Sequence, residues 1–347
     1  MPRVWDVPVH DSTRVRDARV AAEAAARLAG LDESRTASAA LVATELATNL
    51  LKHAHGGQLL VDTVAPPSGR GEPVVQIAAV DHGPGMADVT TALGDGFSTT
   101  GSLGAGLGTC RRVADDFDLH SAPGRGTVAL ARLGAAAKAT VREPVAARAG
   151  GVNVPFAGAE YSGDAWTWVR ADDRLTLMLA DGLGHGPEAA RASTAAVEEV
   201  HRSARHTPAE VLRRLHDALR GTRGAAVAVA QLDVSAGRLR FAGIGNVGAR
   251  LREGDSWRHL LSRPGIVGVH RPATLGDTEV PWAADRLLVL HSDGLPSRWT
   301  PPSDPRLWTA DPAVTAAVTV RDASSSARPV RDDTAVAVLS PSPPDRP

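Results

Sequence analysis

Apolar and small residues recur at three- and four-residue intervals through 14–30 and again through 34–53, which predicts two helices near the start of the chain. Gln58 to Val64 and Val74 to Val80 alternate or run apolar, and the turn-rich segment 65–73 between them predicts a hairpin-like pair of strands. A Gly-rich stretch from Asp81 to Gly108 then precedes a short helical segment, and Thr127 to Leu133 reads as a closing strand. Beyond an Ala-rich, basic stretch ending in Gly150 and Gly151, strands predominate: Trp166 to Arg170, Leu175 to Ala180, Ala225 to Leu232, Arg238 to Ile244, Arg286 to His291 and Thr334 to Leu339. Two helical stretches, 187–204 and 208–220, interrupt them. This is not the regular strand-helix repeat of a doubly wound sheet, so the expected class is α+β with two domains. The expected boundaries are a first domain over 1–134, a linker over 135–151, a second domain over 152–340 and a disordered tail over 341–347.

Composition adjusts this picture only slightly. The chain has 347 residues, long for one core when single domains run to about 100–150 residues. Basic and acidic residues number 38 and 39, spread along the chain, so no one-signed field is offered to nucleic acid or an acidic membrane. Lys occurs only as Lys52 and Lys138, which makes any single Arg weak as a functional signal. Cys110, alone, cannot form an internal disulfide, and no run reaches about 18 uninterrupted apolar residues. A cytoplasmic protein is expected.

In the second helix Glu45, Asn49 and His53 fall four residues apart and form one row beside the apolar row Val42, Leu46 and Leu50. The apolar row can anchor the helix while the polar row edges a pocket. A carboxylate beside a carboxamide suits magnesium and phosphate, because Mg²⁺ takes hard oxygen ligands. The same row is also what an ordinary amphipathic helix carries. Asp81-His82-Gly83-Pro84-Gly85 follows a strand, and Gly104-Ala105-Gly106-Leu107-Gly108 precedes a helix. Glycines let backbone approach phosphate, and amides at a helix start favour an anion, although turns account for most such clusters.

The order of these motifs, an ExxxNxxKH helix, a DxGPG turn, a GxGLG turn and a final GRGT, resembles the GHKL ATPases over about residues 10–133, and within them the short-lidded anti-sigma-factor kinases. The resemblance implies a Bergerat α/β sandwich binding ATP with Mg²⁺. In it Asn49 would hold Mg²⁺, Asp81 would bond the adenine amino group, and Gly83 and Gly85 would make room for the base. Gly104, Gly106 and Gly108 would cradle phosphates, Thr127 would complete the base pocket, and Glu45 would orient or deprotonate an acceptor hydroxyl. The acceptor in that family is a Ser or Thr of a STAS-domain antagonist.

In the second half Asp164, Asp181, Asp293 and Asp332 lie at or beside strand ends, where carboxylates far apart in sequence can converge over one edge of a sandwich. Such a cluster repels itself unless cations are held in it. Taken singly, each is an ordinary loop aspartate. The succession SGD, ADGLGHG, SDGL and DDT resembles the metal-dependent PPM protein phosphatases, especially the bacterial SpoIIE, RsbU and RsbX branch, over roughly 152–340. The resemblance implies an α-β-β-α sandwich with two Mn²⁺ or Mg²⁺ ions. Asp181 would bridge them, Asp164 and the Gly182 carbonyl would serve one, and Asp293 and Asp332 the other. Asp333 stands beside the last ligand, His185 near the site, and Asn246 at a turn that borders either a groove or nothing.

The two resemblances together imply a serine/threonine phosphatase acting by two-metal water attack on a regulatory phosphoprotein. A STAS antagonist is the expected partner and a sigma factor a further one, and neither nucleic acid nor membrane is expected. The first domain is expected to be a kinase, with nucleotide or partner binding without phosphoryl transfer as the alternative.

Overall fold

The computed structural model describes residues 3–66, 69, 71–93, 106–135, 146–156, 159–325, 330 and 332–342. The chain begins with β1 (Trp5–Val9), α1 (Ser12–Leu28) and α2 (Glu33–Ala54), followed by β2 (Gly57–Val64), β3 (Val74–Val80), a single turn α3 (Val89–Ala92), α4 (Gly106–Val113), β4 (Asp116–Ala122) and β5 (Gly126–Leu133). These strands form one sheet in the order β1-β2-β3-β5-β4, every neighbouring pair antiparallel. Asp11 and Asp32 cap α1 and α2 by accepting first-turn backbone N–H groups. The expected apolar row Val42, Leu46 and Leu50 is buried against Val75, Ile77, Ala129 and Ala131 on one sheet face.

The second half contains β6 (Ala147–Val154), β7 (Asp164–Ala171), β8 (Arg174–Gly182), α5 (Pro187–Arg202), α6 (Pro208–Ala218), β9 (Ala225–Asp233), β10 (Arg238–Ile244), β11 (Gly248–Glu253), β12 (Ser256–Leu260), β13 (Thr278–Pro281), β14 (Leu287–His291), α7 (Pro312–Ala323) and β15 (Thr334–Pro341). One sheet runs β13-β10-β9-β8-β7, the other β12-β11-β14-β15-β6. Leu175, Leu177, Leu179 and Phe241 of the first sheet meet Leu251, Leu288, Leu290 and Leu339 of the second in one core. The alternate residues Met178, Val227 and Val229 turn outward under α5 and α6, and Val289, Val336 and Val338 turn outward under α7. Both sheets are thus covered on both faces, which is why their strands read as continuous apolar runs. The order helix, sheet, sheet, helix is the expected α-β-β-α sandwich.

Two boundaries differ from expectation. Residues 147–151, read as linker because of Ala, Gly and Arg, form most of β6 and pair with β15 from Gly151↔Ala337 to Ala147↔Pro341. Gly151 is required there, since a Cβ would sit 2.6 Å from the Val336 carbonyl and 2.8 Å from the Trp166 ring. At the other end, Pro341 closes β15 and the Ser342 N–H donates to the Ala146 carbonyl at 3.1 Å, so the start of the expected tail is paired. The rest of that tail, 343–347, lies outside the described residues.

Helix α7 has no solvent face over most of its length, with Pro312 to Arg321 all buried. Its second face meets Leu60, Ala78, Val80, Val128 and Leu130, the residues of the first sheet that point away from α1 and α2. The helix is therefore shared by both halves. Asp311 caps its start and takes both Arg132 guanidinium nitrogens, at 2.7 and 2.8 Å, while Arg132 Nε donates to Gln76 at 2.9 Å and Gln76 donates to the Gly151 carbonyl at 2.9 Å. At its other end the Arg321 carbonyl accepts from His82 Nε2 at 2.9 Å, and Asp322 accepts from Arg125 at 2.9 Å.

Candidate functional site

The first cluster of expected site residues collects at the C-terminal end of β3. Asp81, 7% exposed, accepts at Oδ1 from the Gly83 N–H (2.8 Å) and the Thr127 N–H (3.1 Å). Burial pushes its carboxyl upward, and the two N–H groups pull against that. The second oxygen remains for a donor such as an amino group. Gly85 has φ +66, and a Cβ on it would lie 2.0 Å from the Ala122 carbonyl; a Cβ on Gly83 would lie 2.7 Å from Ala54. Side chains are excluded from this wall of the pocket.

Asn49 stands one turn after Glu45 on α2 and faces the start of α4, where a Cβ on Gly106 would lie 3.0 Å from Asn49 Oδ1. Its Nδ2 is buried without a hydrogen-bond partner. The orphaned Nδ2 donor beside a helix start fits a phosphate oxygen, and Oδ1 of the same carboxamide is the atom that would serve a metal ion. Gly108 is buried within α4, and Gly104 lies outside the described residues, as does all of 94–105. Cys110 is fully buried on the inner side of this helix, and burial together with the charge of Glu45 pushes its thiol up to about 12, which removes it from nucleophilic chemistry.

Ser121 was not anticipated. It is fully buried; its hydroxyl accepts from the Met86 N–H at 2.8 Å and lies 2.9 Å from the Thr127 hydroxyl, tying the DxGPG turn to the GRGT turn. A serine within DLHSAPGRGT carries no signal in sequence, because its value comes from a turn thirty-five residues away.

In the second half the expected aspartates do come together. Asp164 and Asp181 are direct cross-strand partners at the joined ends of β7 and β8. Burial raises Asp164 well above the ordinary range, and Asp181 and then Asp333 raise it further. Burial and then Asp293, Asp332 and Asp333 push Asp181 up to about 7. Asp293 is also raised, by burial and then by Asp332, while Asn246 Nδ2 donates to its carboxylate and lowers it. Asp181, Asp293, Asp332 and Asp333 each raise a neighbouring carboxylate, and Asp164 Oδ2 is buried without a partner. As the side chains stand, no three acidic, His or Cys groups among the described residues already close on one point. The all-oxygen donor set, the repulsion and the orphaned oxygen nonetheless fit hard divalent cations.

The surrounding residues hold this edge in place. Asn153 donates to the Asp164 carbonyl at 2.7 Å and accepts from Ser162 at 2.8 Å, and the Ser162 hydroxyl accepts from the Asp164 N–H at 3.1 Å. Asp333 spends both oxygens on backbone, accepting from Phe156 N and Gly163 N at 2.7 Å each, which makes it a positioning residue for the loop before Asp164. Gly182 accommodates α5: a Cβ there would lie 2.3 Å from the Ala189 carbonyl. His185 is exposed in the loop that leads into α5. Asp333 acts on a loop far away in sequence and Asn153 on the next strand, whereas Ser162 sits two residues before Asp164 within the SGD motif; Ser162 and Asp333, each in or beside a motif, were open to suspicion.

Comparison with known proteins agrees with this division. The histidine kinase-like ATPase domain family matches residues 9–132, and the stage II sporulation protein E (SpoIIE) family matches 171–341. The serine/threonine-protein kinase RsbT of Bacillus subtilis (strain 168) is 41% identical over 97 residues, which are 28% of this chain and 68% of RsbT. The chain joins an RsbT-family histidine kinase-like ATPase domain to a SpoIIE-type serine/threonine phosphatase domain. Among solved structures, RsbX in complex with magnesium aligns with a TM-score of 0.48 at 20% identity, covering 58% of this chain and 99% of that one. The phosphatase domain of SpoIIE from Bacillus subtilis with a fragment of its regulatory domain gives 0.49 at 15% identity, covering 77% and 79%. The region matching the ATPase family contains the Asp81 and Asn49 cluster; the region matching SpoIIE contains Asp181, Asp293 and Asp332, and Asp164 lies just before it, on the strand paired with β8.

Proposed function

We propose that the phosphatase domain removes phosphate from a serine or threonine of a STAS-type antagonist phosphoprotein, and that the ATPase domain is a kinase for a protein of the same class, in a cytoplasmic partner-switching pathway. The observation that carries the phosphatase half is the Asp164–Asp181 cross-strand pair with Asp293 and Asp332 set against it. Asp164, Asp181, Asp293, Asp332 and the Gly182 carbonyl would together hold two Mn²⁺ or Mg²⁺ ions. Such ions supply an acidified water and neutralise phosphoryl charge. The protein's own part is placement: Asn153 and Ser162 fix the backbone of Asp164, Asp333 fixes the loop before it, and Asn246 orients Asp293.

In the ATPase domain Asp81 and Thr127 would take the base, Gly83 and Gly85 give it room, and Asn49 would hold Mg²⁺. Gly104, Gly106 and Gly108 would surround the phosphates, and Glu45 would orient the acceptor hydroxyl. Phosphoryl transfer depends mainly on such positioning. Because the Asp81–Gly85 turn and the β4–β5 turn both grip the C-terminal end of α7, ten residues before Asp332, nucleotide occupancy is expected to bear on the phosphatase site.

A time course of labelled phosphate from γ-labelled ATP, against purified STAS proteins with Mn²⁺, tests both activities. The wild type should load and then unload the acceptor, Glu45→Ala should fail to load it, and Asp181→Ala should load it and leave it phosphorylated. Absence of transfer by wild type to any acceptor would leave the ATPase domain as a binding module.

A further inference from the structure

We propose that Arg223 binds the phosphoryl group of the substrate at the Asp181 site, a role that rests on the phosphatase reading above. The chain reaches the site twice at neighbouring points. Strand β8 ends in Asp181 and Gly182 and continues through Leu183 and Gly184 toward α5, while the turn 221–224 leads into the head of β9. The two strands are paired there, Asp181 opposite Ala226 and Gly182 opposite Ala225. The Leu183 N–H donates to the Gly224 carbonyl at 3.0 Å, which pins the turn to the loop. Within the turn, the Thr222 hydroxyl donates to the Leu219 carbonyl at 2.7 Å and accepts from the Gly224 N–H at 3.0 Å, and Gly224 has φ +83. Arg223 therefore projects from a fixed backbone.

Its guanidinium lies over that loop: a Cβ on Gly184 would be 3.0 Å from Arg223 Nη1. Gly184 has φ +85, and its bare Cα lets the cation settle three residues beyond Asp181. Arg223 is nevertheless exposed, and among the described residues it makes no hydrogen bond or ion pair, with the site aspartates or any other group. An exposed, unpaired cation held at the lip of an acidic edge has little structural purpose. A phosphate monoester entering that edge meets it directly, and the planar fork of an arginine matches two phosphoryl oxygens at once, which a lysine cannot do. Leu183 and Val269, 37% and 60% exposed, adjoin the same turn, Val269 Cγ2 coming 2.9 Å from where a Cβ on Gly224 would be. The ligand class is a phosphoserine or phosphothreonine segment whose flanking residues rest on these apolar side chains.

The test measures inorganic phosphate binding by calorimetry on the full chain with Mn²⁺, with a non-hydrolysable ATP analogue filling the nucleotide site, alongside hydrolysis of p-nitrophenyl phosphate. Arg223→Ala should bind phosphate about tenfold to a hundredfold more weakly, as expected for loss of a charge-assisted pair. Its KM should rise in parallel while kcat and thermal midpoint change little, and Arg223→Lys should fall between. Equal phosphate affinity in wild type and Arg223→Ala overturns the proposal, and if wild type still hydrolyses the ester the phosphatase reading survives alone. Arg223-dependent phosphate binding without hydrolysis by wild type would support the proposal and sink the phosphatase reading. No phosphate binding by wild type would overturn both.

Discussion

Asp81 of the ATPase domain and Asp164 of the phosphatase domain are both buried carboxylates at strand ends, 7% and 3% exposed, and burial raises both. Their partners are opposite in kind. Asp81 Oδ1 is met by two backbone N–H groups, and the space beside it is cleared by Gly83 and Gly85, so the pocket is formed before any ligand arrives. Asp164 faces Asp181 and retains a buried oxygen with no partner, so its site is complete only with cations. A preorganised pocket wall and a self-repelling acidic edge call for different perturbations, and helix α7 connects them.

The largest effect is expected at that connection. Arg132, with its side chain 5% exposed, holds Asp311 in a bidentate pair between the domains, and Arg132→Ala leaves a largely buried carboxylate unpaired. A loss of about 3–5 kcal/mol in unfolding free energy is expected by denaturant titration. Survival of full stability would mean that the shared helix does not join the halves energetically. Next comes the acidic edge: Mn²⁺ at about 100 times its dissociation constant should stabilise the folded chain by about 2.7 kcal/mol, seen as a higher thermal midpoint. Asp181→Asn should lose most of that gain, whereas Gly85→Ala should retain it.

Gly85→Ala instead tests the preformed wall. With φ +66 and a Cβ directed at the Ala122 carbonyl, it should cost about 1–3 kcal/mol and weaken ATP binding while leaving Mn²⁺ binding intact. The smallest effect is expected from Arg125→Ala, because the Arg125–Asp322 pair is exposed on the arginine side at 60%. Stability should change by no more than about 1 kcal/mol. Its value lies in the second readout: if the β4–β5 turn carries nucleotide occupancy to α7, the effect of ATP on phosphatase rate should shrink in this variant.

What could be read from sequence divides along the same line. Residues whose role is local to a motif were visible: Asp181 beside Gly182, Asp81 before Gly83 and Gly85, and the row Glu45 and Asn49 on α2. Strand β3 was expected at its observed limits because its apolar run, broken only by Gln76, is bounded by turn residues on both sides. Helix α7 was missed because it is buried between two sheets and so has no polar face to give a period, and its Val and Thr content resembles a strand. The capping Asp311 followed by Pro312 was the available signal. Strand β6 was hidden by Gly150 and Gly151, which are there to let α7 and Trp166 approach. Ser121 and Asn153 were illegible for a different reason, since each acts on a neighbour that only the folded sheets bring near, whereas Ser162 stood within the SGD motif, two residues before the aspartate it supports.

The most direct test of the account is phosphate release from a phosphoserine STAS protein in the presence of Mn²⁺ by the wild-type chain and by Asp181→Ala. The account predicts rapid release by wild type, none without the metal, and a rate for Asp181→Ala lower by about a thousandfold, the equivalent of roughly 4 kcal/mol of transition-state stabilisation. Equal release by both proteins would contradict it, because the aspartate edge would then have no part in the chemistry.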